Sequence, residues 1–174
     1  MEKNCEYFMN LIYLVLKNER SLDSISKIIG PNYKDKNGNS IYHYFSEYSL
    51  EKFYKINYNQ NKDKLIKEQK YKEIVEEYKN QIPLYMEILD ELNCEFFVLN
   101  KEHNTPLIHS LINNNYYIAK QYIKKLNNMN LITYDIMYKA FKICINSGNC
   151  LRIDCTQLIV YILYLSKQND INIF

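Results

Sequence analysis

The stretch NCEFFVLNKEHNTPLIHSLINNNYYIAKQYIK, residues 93–124, decides how the rest of the chain is read. Thr105 and Pro106 open a helix: a hydroxyl at the N-cap accepts a backbone N–H, and proline fits the first helical position, where no donor is needed. Leu107, Leu111, Ile118, Ala119, Tyr122 and Ile123 then fall on two apolar faces. Between them lie Asn113, Asn114 and Asn115, residues that favour turns over helix interiors. The pattern predicts helix, tight turn, helix.

Asn104-Thr105-Pro106-Leu107, the asparagine turn, and Ile118-Ala119-Lys120 together resemble an ankyrin repeat, a helix pair of about 33 residues with a T-P-L-H-x-A signature. Asn93-Cys94-Glu95 stands where that family has Gly-Ala-Asp, and Asn100 to Asn104 where it has a polar hairpin tip. Ile108 replaces the usual histidine and Ser110 the first alanine, while Asn93 and Asn114 stand in for glycines, asparagine being the other residue that tolerates positive φ.

A repeat must recur. Asp35-Lys36-Asn37-Gly38-Asn39-Ser40-Ile41-Tyr42-His43 supplies a second hairpin tip and helix start, with Ser40 as cap. Ser40 and Thr105 are 65 residues apart, or about two periods of roughly 33, which predicts a degenerate unit between them. Ile74, Val75 and Tyr78 give it a first helix, Asn80-Gln81 a break, and Pro83 to Leu92 a second helix. Phe8–Leu16 and Leu22–Ile29, stopped by Gly30-Pro31, form a pair before the array, and Tyr138–Ile145 with Leu151–Ser166 another after it. The expected fold is all-α, a solenoid of about five ankyrin-like helix pairs with short hairpin loops. Its divisions are an N-terminal capping pair at 1–31, a repeat at 32–57, the degenerate unit with its polar loop at 58–92, the best-matching repeat at 93–127, and a capping repeat and tail at 128–174.

With 174 residues, 47% hydrophobic and 24% charged, the chain is built to fold. A net charge of +2 is too small to draw nucleic acid or an anionic membrane by long-range attraction. There is no apolar run of about 18 residues, no signal-peptide layout and no lipidation motif, so a cytoplasmic location is expected. The five cysteines include no C-x-x-C pair and suit a reducing compartment as free thiols. The richness in Asn, Lys, Ile and Tyr is attributed to an AT-rich genome, as in a parasite, a symbiont or a large DNA virus.

No phosphate loop, G-x-S-x-G or H-E-x-x-H is present, and no metal or cofactor is expected. Glu76-Glu77 and Asp90-Glu91 are adjacent helical pairs whose side chains diverge, which disfavours an acid–base dyad. The charged stripe Lys62, Lys64, Lys67, Lys70 and Lys72 is interleaved with Asp63, Glu68 and Glu73 and reads as a solvated face.

The resemblance implies a protein-binding surface on the concave side and the fingers, without turnover. Carried over position by position, its contact residues are Lys36, Asn37, Asn39, Tyr44, Glu47 and Tyr48; then Lys101, Glu102, His103, Asn104, His109, Ile112 and Asn113; and Lys142. Tyr44 and Tyr48 are expected as exposed aromatic anchors. The resemblance gives His43 a structural bond between loops. For a viral or parasitic chain, the implied partner is a host signalling or defence protein, held by occlusion or bridged as by an adaptor. Two alternatives stand beside this. One is an oligomerisation subunit whose dimer seam is Leu158–Leu165, nearly apolar all round; the other is a hydrolase pairing Cys94 with His103 or His109.

Overall fold

The computed structural model describes residues 4–58 and 68–173; the polar run 59–64, with Lys62, Lys64 and Lys67 of the charged stripe, lies outside them. The described residues form helices and connecting loops: α1 (Cys5–Leu16), α2 (Leu22–Ser26), α3 (Ile41–Ser46), α4 (Leu50–Tyr58), α5 (Glu68–Glu91), α6 (Pro106–Ile112), α7 (Tyr116–Asn128), α8 (Tyr134–Asn146) and α9 (Ile153–Gln168). Their starts follow the local chemistry. Asn4 Oδ1 accepts from Tyr7 N–H at 3.0 Å, and Thr105 Oγ1 from Ile108 N–H at 3.3 Å with Pro106 at the first helical position. At Ser40 the residue three positions on is His43, whose Nδ1 accepts the Ser40 N–H at 3.1 Å, as a glutamate does in a capping box.

The break expected at Asn80-Gln81 is absent: α5 runs unbroken through Pro83. Ile74, Tyr78, Ile82, Tyr85 and Leu89 are all buried and recur every three or four residues, so one apolar stripe crosses the supposed turn. Pro83 forfeits the bond to the carbonyl four residues back and crowds that carbonyl, a cost the buried stripe outweighs. The predicted helix pair of the middle segment is therefore a single long helix.

Two rows of helices carry the packing. In one row α1 contacts α3, α3 contacts α6, and α6 contacts α8; in the other, α5 contacts α7 and α7 contacts α9. The loop 31–39 before α3 lies directly on the loop 93–104 before α6. Glu95 N–H donates to Pro31 O at 3.2 Å, Lys101 N–H to Asn37 O at 2.9 Å, and Asn100 Nδ2 to Asn39 Oδ1 at 3.0 Å. Two segments 65 residues apart in sequence are thus immediate neighbours in space, with no helix pair between them. Residues with positive φ mark equivalent places: Asn18, Asn114 and Gly148 between paired helices, Asn93, Asn130 and Asp170 after α5, α7 and α9, and Gly38 and His103 at the two loop tips.

The short α3 ends against a buried polar network. Ser46 Oγ donates to Tyr42 O or Pro106 O, each at 2.8 Å, and Tyr122 O–H donates to Tyr42 O at 2.7 Å. Asn115 Nδ2 reaches Tyr48 O at 2.9 Å and Ser46 O at 3.2 Å, while Tyr78 O–H donates to Tyr48 O at 2.6 Å. The carbonyls that a helix end leaves open are thus paired by side chains from α5 and from the α6–α7 turn, which fixes where α3 stops. A second tie joins α3, α5 and α7: Tyr42 O–H and Lys125 Nζ both meet the Asp90 carboxylate.

Gly38 tests the loop contact. Its φ is +78°, and a Cβ there would lie 3.3 Å from Lys101 N. Gly38→Ala is expected to lower unfolding free energy by about 1–2 kcal/mol. Gly30→Ala, which meets nothing within 4 Å, is expected to change it by less than about 0.5 kcal/mol in the same denaturant titration.

Candidate interaction surface

The two loops and the exposed face of the α3–α6–α8 row are where the candidate contact residues converge, but burial divides them. Lys36, Asn37, Lys101, Glu102, His103, Asn113 and Lys142 are exposed, and Ile112 is 54% exposed although it is a large aliphatic residue. Together with Leu111, Asn114, Lys139, Ile143, Asn146 and Ser147, Ile112 and Lys142 line an open groove of about 620 Å³ between α6 and α8. No carboxylate lines it, so its polar rim is cationic.

The remaining candidates hold the protein together. Tyr48 is fully buried, its ring stacked on Tyr85 with centroids 5.2 Å apart. It falls beyond the end of α3, in the turn to α4, so helical spacing counted from Ser40 misplaces it. Tyr44 packs against Phe8 at 4.9 Å and donates its hydroxyl to Asp35 Oδ2 at 2.8 Å. Neither tyrosine is an exposed anchor. Asn39 and Asn104 are half-buried in the loop-to-loop bonding. Glu47 lies 3.3 Å from both Lys52 Nζ and His109 Nε2, which turns His109 towards α3.

His43 is the polar pivot. Nδ1 accepts from Ser40 N–H, so the proton sits on Nε2, which donates to Asn104 O at 2.9 Å across the two loops. Burial pushes its pKa below the ordinary histidine value, partly offset by the Asn104 carbonyl, and the neighbouring His109 lowers it further. At Asp35, burial alone would raise the pKa, but hydrogen bonds from Asn39 N–H, Tyr44 O–H and Asn37 N–H outweigh it and bring it below the usual carboxylate range. At Glu47 the His109 hydrogen bond leads, opposed by burial and supported by Lys52, and the pKa is lowered.

Burial pushes the Cys94 thiol up to about 12, and Asp90 adds to this, so at neutral pH the group is a protonated thiol rather than a nucleophile. Cys5 and Cys144 are likewise raised to about 12 by burial. Among the described residues no cluster of three or more His, Cys, Asp or Glu is placed to hold a metal ion. No helix among them is long and apolar enough to cross a membrane.

The proposed seam at Leu158–Leu165 is also redistributed by the fold. Leu158, Ile162 and Leu165 are buried against the rest of the protein, leaving Val160 and Tyr164 exposed. Those two, with Leu151, Ile153 and Tyr161, line a shallow apolar groove of about 510 Å³. Sequence reasoning passed over two further exposed apolar residues, Phe97 (52% exposed) and Leu99 (54%). Their signal is period two: Cys94, Phe96, Val98 and Asn100 point inward and the residues between point out.

Comparison of the chain with family models, curated proteins and solved structures returns no match.

Two outcomes follow from this geometry. The folded pKa of His43 is below its unfolded value, so its contribution to stability is present above about pH 6.5 and is lost as pH falls through the folded value. Asp35 and Glu47 add a second loss below about pH 4. Urea titrations across pH should show both phases, and His43→Gln should abolish the first alone. Tyr48→Ala should cost about 3–5 kcal/mol by leaving a cavity, whereas Lys101→Ala should stay within about 0.5 kcal/mol of the wild type.

Proposed function

We propose that the chain is a short ankyrin-like helix stack that binds a partner protein and carries out no turnover. The reading rests above all on the docking of loop 31–39 against loop 93–104 through His43, which matches the inter-loop histidine of the family it resembles. The recurrence of positive-φ residues at equivalent places supports the same view. On this reading, α4 and the first half of α5 are an insertion within one repeat, and the C-terminal half of α5 serves as that repeat's second helix.

The partner sits in the groove between α6 and α8, with Ile112 as its apolar contact and Lys139 and Lys142 as its charged ones. An exposed isoleucine flanked by cations selects a surface that is apolar at its centre and acidic at its rim. Tyr44 and His109 act indirectly, Tyr44 by packing α3 on Phe8 of α1 and His109 by tying α6 to Glu47 beyond the end of α3.

A second reading has one observation in its favour: the apolar groove beside α9, where Leu151 is 94% and Ile153 is 77% exposed. A second copy of the chain fits such a surface.

Site-specific photo-crosslinking in expressing cells separates the two. A benzophenone side chain at position 112 or 142 is expected to capture a discrete heterologous protein, with position 168, exposed at the end of α9, as the silent control. Capture only from position 160 or 164, in a band of twice the chain's mass, would replace the groove reading with self-association.

A further inference from the structure

The loop 93–104 has one paired side and one open side. Its paired side donates Glu95 N–H and Lys101 N–H to Pro31 O and Asn37 O of the preceding loop. Adding the 65-residue offset to those two acceptors gives Phe96 O and Glu102 O, their counterparts on loop 93–104. Among the described residues neither accepts a hydrogen bond from the protein. The reason is topological: α7 ends at Asn128 and α8 begins at Tyr134, so the connection is too short to send out a third loop of the kind that precedes α3 and α6.

The open side is also apolar in a way its neighbour is not. Phe97 and Leu99 are more than half exposed. At the equivalent positions of the preceding loop, 65 residues earlier, the chain carries Asn32 and Lys34, both exposed and polar. The loop whose edge is covered is polar, and the loop whose edge is open is greasy.

We infer that this edge is a strand-addition site, where an extended segment of a partner protein takes the place of the missing third loop. Its backbone N–H groups donate to Phe96 O and Glu102 O, repeating the bonds that already join the first two loops, and its aliphatic side chains cover Phe97 and Leu99. The flank of that segment that meets the loop tip is acidic. Lys101 at the tip has no carboxylate partner among the described residues, whereas Glu95 is already paired with Lys34 at 3.4 Å. This site is distinct from the α6–α8 groove, which neither Phe97 nor Leu99 lines. It stands even if the groove proves empty.

The test uses a fluorescein-labelled peptide of alternating valine and threonine flanked by aspartates, with anisotropy as the readout. The full chain is expected to bind it, and the double variant Phe97→Asn, Leu99→Lys to bind at least about tenfold more weakly. Those replacements are the residues the chain already uses on the preceding loop, and an unchanged melting temperature shows that the variant folds. The peptide N-methylated at alternate residues, and the peptide with lysine flanks, should each lose a similar factor. Absence of binding by the wild type, or equal binding by the double variant or the N-methylated peptide, would overturn the proposal. So would a wild-type dimer in sedimentation that the double variant disperses, because the edge would then belong to a second copy.

Discussion

The hydrogen bond from His43 Nε2 to the Asn104 carbonyl is the constraint on which the arrangement depends. Its imidazole is buried, it joins residues 61 apart in sequence, and its donor is oriented by a second bond at Nδ1. Replacing the imidazole by an apolar group would leave the buried Ser40 N–H without a partner and Asn104 O with the Asn100 N–H alone, which costs more than the bond itself contributes. The loops then fall into register: Asn39 against Asn100, Asn37 against Lys101, Pro31 against Glu95. With the loops in register, α3 and α6 lie side by side, and α6 in turn sets α8 and the groove between them.

Much of the remaining interior is tyrosine. Tyr42, Tyr48, Tyr78, Tyr85, Tyr116 and Tyr122 are all fully buried, and most of their hydroxyls find a carbonyl, carboxylate or amide. A ring fills the space between helix rows as a phenylalanine does, while the hydroxyl pairs the carbonyls that short helices leave open. Ser46, Asn115, Tyr78 and Tyr122 do this together at the end of α3. An α3 of six residues is too short to hold on its own, and this network closes its end.

The local signals in the sequence were strong where a single side chain acts on its own backbone. Thr105-Pro106 marks the start of α6, and the asparagine run marks the turn to α7; both follow from capping and from tolerance of positive φ. In the middle of the chain an unbroken apolar stripe outranks the repeat period. An interval of 65 residues suggested two repeats, whereas the unbroken line from Ile74 to Leu89 already argued for one long helix. Side-chain direction was the least legible quantity. Tyr44 and Tyr48 looked like groove residues by position, but α3 stops at Ser46, and the turn that follows carries Tyr48 into the core. The open edge at Phe97 and Leu99 needed the spatial pairing of the loops before its exposure acquired meaning.

Amide hydrogen exchange, resolved by residue, tests the central claim most directly, because the same loop holds both paired and open backbone. Direct stacking of the two loops predicts slow exchange at Lys101 and Glu95, whose N–H groups donate to Asn37 and Pro31, and fast exchange at Phe97 and Leu99. It further predicts that His43→Ala releases Lys101 and Glu95 while leaving α7 protected. Equal, rapid exchange at Lys101 and Phe97 in the wild type would contradict the stacking, and with it the placement of α3 against α6.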